Sequence, residues 1–113
     1  MSTPPTIRLL DGNRMPVFGL GLYQTDASPW TVHLVKTAAS IGYRLFDTAQ
    51  LYENEYETGQ GIKRSRIPRN QLFITTKVFT PSLHYHEFAL DDFVVVFHQL
   101  FGCLHQCKWL FQV

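Results

Sequence analysis

Only two cysteines, Cys103 and Cys107, occur in the 113 residues. So few exclude a disulfide framework and make a reducing cytosol the default compartment. Charge of one sign is missing too. Ten basic residues face nine acidic ones, the net charge is +1 and the pI is near 7.8. Nothing therefore points to nucleic acid. The N-terminal MSTPPTIRLLDG has no apolar core and no small-residue cleavage site, so no signal peptide is read there. No hydrophobic run is long enough to span a membrane. The longest, Phe93–Leu104, is interrupted by His98 and Gln99 and preceded by Asp91 and Asp92. What is present is a globular composition, 45% hydrophobic and 17% charged, about one domain's worth.

Thr6–Leu10 and Arg14–Phe18 flank Asp11-Gly12-Asn13, which predicts a small hairpin, because Asp-Gly tolerates the positive φ of a tight reversal. Pro16 restricts the second strand to an edge. Val17–Leu22 reads as a strand whose Gly19 and Gly21 mark close approaches. Asp26 or Ser28 can cap a helix beginning at Pro29. Val32, Val35, Ala38 and Ala39 recur at helical spacing up to Gly42. Tyr43–Phe46 predicts a strand ending at Asp47, Asn54–Arg66 a second helix, and Leu72–Val78 a further strand rich in β-branched residues. Strand, helix, strand, helix, strand predicts a parallel α/β unit with right-handed crossovers. In such folds chemistry collects at the carboxyl ends of strands. Asp47 and Lys77 fall at such ends, and Tyr52 lies just beyond one.

A tyrosine brought close to a lysine can serve as a general acid, since a nearby ammonium favours the phenolate. A carboxylate beside the lysine keeps it charged and oriented. Asp47, Lys77 and Tyr52 therefore suit the delivery of a proton to a carbonyl oxygen as hydride arrives at its carbon. Hydride needs a nicotinamide or flavin, because no side chain supplies it. The plainer alternative is a surface ion pair worth little and a tyrosine that packs.

Gly12-Asn13-Arg14-Met15-Pro16 with Gly19-Leu20-Gly21 is followed by GYRLFDTAQLYENE (Gly42–Glu55), Gly59 and ITTKV (Ile74–Val78). Through these pieces residues 7–79 resemble the N-terminal part of an aldo-keto reductase. The resemblance implies an α/β fold, the N-terminal part of a (β/α)8 barrel: the hairpin, which plugs the barrel's N-terminal mouth, plus about three βα units, incomplete. It implies NADPH-dependent reduction of a small aldehyde or ketone in the cytoplasm. Tyr52 would be the general acid, Lys77 the group that makes it acidic enough, and Asp47 the partner of Lys77. Gly21, Leu22 and Tyr23 would border the nicotinamide and the substrate pocket, with Asp47 also on the cofactor side. Leu22 stands where the family often carries threonine.

After Phe79 the pattern changes. The family places a further catalytic histidine in a motif resembling D-L-x-L-x-H-x-P, and no such motif follows Lys77; His98 and His105 stand in a different context. The expectation is a reductase segment over residues 1–79 and a divergent apolar tail over 80–113. On this reading the chain is a truncated product whose tail comes from a shifted frame or a retained intron. By itself it would be inactive, or would act as a non-catalytic interaction fragment. Cys103 and Cys107, with His98 and His105 nearby, lack the second ligand pair of a structural zinc site, so no metal is expected. Phe88–Val113 fits a helix or a strand equally.

Overall fold

The structure is a computed structural model that describes residues 3–77. The expected tail, its cysteines and its histidines lie outside the described residues. Strands β1 (Thr6–Arg8) and β2 (Arg14–Pro16) form an antiparallel hairpin with Ile7 opposite Met15. Gly12 takes the positive φ of 86° that the turn requires. Asp11 closes the turn by accepting from the Asn13 backbone N–H at 2.9 Å.

A second sheet holds three parallel strands in the order β3 (Leu20–Gly21), β4 (Leu45–Asp47) and β5 (Phe73–Thr75). Helix α1 (Pro29–Ser40) connects β3 to β4, and α2 (Glu55–Ser65) connects β4 to β5. This is the βαβαβ order expected. The strand expected over 17–22 is shorter, because the Val17 N–H bonds back to the Pro5 carbonyl at 2.9 Å and so belongs to the hairpin. Gly19 does mark a close approach: a Cβ there would meet the Leu45 carbonyl oxygen at 2.7 Å. At Gly21 a Cβ would touch nothing within 4 Å among the described residues, so no neighbouring strand crowds it.

Of the two candidate caps, Ser28 is the one used. Its hydroxyl accepts from the Trp30 N–H at 3.2 Å and donates to Asp26 Oδ1 at 2.6 Å. Gly42, with φ 116°, ends α1 by donating to the Ala39 carbonyl at 3.3 Å. The apolar face of α1 is the one its spacing predicted, with Val32, Val35, Ala38 and Ala39 all buried. These side chains cover the sheet, where Phe46 is fully buried between Leu20 and Ile74 in register. Helix α2 is mostly polar and packs through small residues. A Cβ on Gly61 would lie 2.6 Å from Val35 Cβ and 2.8 Å from the Val32 carbonyl, so glycine lets the two helices touch. Among the described residues, no helix is long and apolar enough to cross a membrane.

Candidate active site

Asp47 is the last residue of β4, and its strand neighbour on β5 is Thr75. That parallel register brings Lys77, two residues further along, beside the Asp47 carboxylate. Lys77 Nζ donates to Asp47 Oδ1 and Oδ2, both at 2.9 Å, and to the Thr48 carbonyl at 3.1 Å. It also lies 3.4 Å from the Tyr52 hydroxyl. Thr75 donates its hydroxyl to Asp47 Oδ1. Backbone bonds fix the same junction: Thr48 N–H to the Thr75 carbonyl at 2.9 Å and Gln50 N–H to the Lys77 carbonyl at 3.0 Å.

Lys77 is part-buried, and burial pulls its proton affinity down. Hydrogen bonds to Asp47 and Tyr52 and the charge of Asp47 outweigh that, and the net direction is up. The ammonium is thus held charged. A lone exposed ion pair would be worth little. This one spans both carboxylate oxygens and a carbonyl, so the lysine head has few other places to go.

Tyr52 ends a 3-10 turn over Gln50–Tyr52, a feature absent from the sequence reading. Glu53 follows in the left-handed region at φ 54° and turns the chain into α2. The Tyr23 ring lies 5.2 Å from the Tyr52 ring at 53° and is exposed. Gly21 pairs with Asp47 in register and is open above its Cα. Leu22 is the exception among the expected pocket residues. Its side chain is fully buried in the core, while its backbone N–H bonds the Asp47 carbonyl at 3.0 Å.

Two further residues shape the site. Asn54 reads in sequence as a helix start, yet its side chain caps nothing in α2. Fully buried, its Nδ2 reaches the Leu22 carbonyl at 2.9 Å, the Thr25 carbonyl at 2.9 Å and Thr25 Oγ1 at 2.7 Å. It ties the loop after β3 to the loop after β4, with Tyr23 on one and Tyr52 on the other. Glu55, also buried, accepts from the Thr76 hydroxyl at 2.6 Å. Burial pushes its carboxyl up from 4.5 to about 7, with the Thr76 bond acting the other way. Both make contacts across the fold, and what marks them in the sequence is their place at the end of the GYRLFDTAQLYENE stretch that carries the resemblance. Among the described residues, no cluster of His, Cys, Asp and Glu could hold a metal ion.

The sequence profile of the Aldo/keto reductase family matches residues 18–95, which is more than half of the chain and includes every site residue named above. The chain belongs to the aldo/keto reductase family. Among curated members it is 40% identical over 91 residues to the methylglyoxal reductase of Yersinia pestis, covering 80% of this chain and 32% of that protein. Among solved structures, an aldo/keto reductase from Brucella melitensis matches with a TM-score of 0.78 and 36% identity, over 88% of this chain and 37% of that one. An aldo-keto reductase of Bombyx mori, solved in complex with NADP, matches with a TM-score of 0.77 and 30% identity, over 88% and 35%. The chain thus spans about a third of the length of these relatives. Its fold is the N-terminal part of the aldo/keto reductase barrel. The family match runs to residue 95, past Phe79, beyond which a divergent tail is expected.

Proposed function

We propose that these residues carry the proton-donating part of an NADPH-dependent reductase of small aldehydes and ketones, acting in the cytoplasm. The observation that carries the reading is the single ammonium of Lys77 held 2.9 Å from Asp47 and 3.4 Å from the Tyr52 hydroxyl. Tyr52 gives its phenolic proton to the carbonyl oxygen. Lys77 stabilises the phenolate that remains, and Asp47 keeps Lys77 charged and aimed. Hydride is the chemistry a bound nicotinamide brings. The open floor at Gly21, with exposed Tyr23 beside it, suits a flat ring. Leu22 contributes backbone there rather than side chain. NADPH is supported by the NADP complex of the Bombyx mori relative, and a small carbonyl substrate by the name of the Yersinia pestis relative.

By the same reading residues 1–79 belong to the reductase segment, which the family match carries on to residue 95, and the segment works as part of a full barrel. The test is therefore made in a full barrel. Residues 18–77 replace the matching segment of the Yersinia pestis methylglyoxal reductase, and NADPH oxidation is followed with methylglyoxal. The chimera is expected to be active. Tyr52→Phe should cut its kcat by roughly 10²–10⁴-fold, the range of a positioned general acid. A folded chimera whose rate ignores Tyr52→Phe would overturn the proposal and leave the non-catalytic interaction fragment as the better reading.

A further inference from the structure

Consecutive residues on a strand face opposite sides. At the end of β5, Thr75 and Lys77 turn to one side, where both bond Asp47. Thr76 turns to the other side, toward α2, and donates to Glu55 Oε2 at 2.6 Å. Thr76 and Glu55 are each 2% exposed. Glu55 lies in the first turn of α2, shortly after Tyr52. One short stretch of chain, from Asp47 to Glu55, therefore grips the end of β5 from both faces. Asp47 holds it in front and Glu55 from behind.

A buried carboxyl is a costly way to fill that space. Glu55 Oε1 has no hydrogen-bond partner among the described residues. An apolar side chain would pack there without the penalty, so packing alone does not account for a carboxyl. Among the described residues its one side-chain hydrogen bond goes to Thr76, directly before Lys77.

We propose that Glu55 is a positioning residue, which, through Thr76, fixes the exit of β5 so that Lys77 stays on Asp47 and Tyr52. Without the Thr76 bond, the strand end loses its rear anchor and the lysine head spends time away from the carboxylate. The catalytic meaning of this coupling rests on the proton-transfer reading above. The coupling itself is read without turnover.

The experiment is trace acetylation of the full 113-residue chain with acetic anhydride, with each lysine quantified by mass spectrometry. Lys36 and Lys63 are exposed and serve as internal references. Glu55→Ala and Thr76→Val should each raise Lys77 labelling relative to both references by roughly tenfold, the size of one lost buried hydrogen bond. Glu55→Gln keeps an acceptor for Thr76 and should stay within about twofold of wild type. The Glu55→Ala/Thr76→Val double variant should exceed neither single, because both remove the same bond. Thr76→Val is nearly isosteric and decides the matter if Glu55→Ala does not fold. A Lys77 rate that keeps its wild-type ratio to Lys36 and Lys63 overturns the proposal. So does an equal rise at all three lysines, which marks Glu55 as a fold stabiliser only. If wild-type Lys77 already reacts as fast as Lys36, the Asp47–Lys77–Tyr52 grouping itself fails, and the positioning role with it.

Discussion

Lys77 Nζ stands 2.9 Å from both carboxylate oxygens of Asp47, although the two residues are thirty positions apart and lie at the ends of different strands. Parallel pairing of β4 and β5 brings them together. Neither residue has another formal counter-charge within ion-pair distance among the described residues. Changing either one should therefore register first on the other.

Asp47→Asn leaves Lys77 equally buried but removes the charge that offsets burial. The proton affinity of Lys77 is expected to fall. Reductive methylation with labelled formaldehyde, followed by NMR titration of the Lys77 methyl signals, reads this directly. An unchanged titration would mean that Asp47 does not hold the ammonium.

Asn54→Ala removes the donors that reach Leu22 and Thr25 and leaves two carbonyls without that partner. The expected loss is about 2 kcal/mol of unfolding free energy, measured in urea. Asn54→Asp is expected to cost more, since it replaces donors with a buried charge facing carbonyl oxygens.

Gly61→Ala sets two effects of opposite sign against each other. In a helix interior alanine is favoured over glycine by about 1 kcal/mol. Here its Cβ would lie 2.6 Å from Val35 Cβ and 2.8 Å from a backbone carbonyl of α1. A backbone atom cannot swing aside, and such overpacking costs about 1–3 kcal/mol. Net destabilisation is expected in urea unfolding. Net stabilisation would show that the helices separate freely.

Glu55 makes stability depend on pH. Its folded value of about 7 lies above the ordinary 4.5, so between these values the folded chain holds a proton that the unfolded chain has released. Its contribution is fully present below 4.5 and is lost as pH rises to about 7. The integrated change is on the order of 3 kcal/mol. Lys77 adds nothing in that window, because its shift acts only above its ordinary 10.5. Unfolding in urea across this range should show the slope, and Glu55→Gln should flatten it.

The order of elements is legible in the sequence. Val32, Val35, Ala38 and Ala39 mark the buried face of α1 by spacing alone, and Asp26-Ala27-Ser28-Pro29 marks its start, while the choice of Ser28 as cap is made by the structure. These are properties of neighbouring residues, which local sequence encodes. The two glycines of the β3 region differ in their surroundings. Gly19 packs under Leu45 and Gly21 faces open space, a difference that depends on which strand lies alongside. Leu22, which the resemblance places beside the pocket, has its side chain in the core, and its backbone N–H bonds the Asp47 carbonyl.

The sequence by itself determined that Asp47 and Lys77 stand at strand ends and that Tyr52 follows one of them. Hydrophobic runs, caps and turn residues suffice for that, because each acts over a few positions. Only the tertiary structure decided that one ammonium reaches both Asp47 and Tyr52. It also decided that Asn54 leaves its helix to join two loops, and that Glu55 meets Thr76. Those contacts span 21 to 32 positions of chain. The contacts of Lys77 and Thr76 depend on the parallel register of β4 and β5, in which Asp47 pairs with Thr75, and a shift of one residue would turn Thr76 to the front and Lys77 to the back.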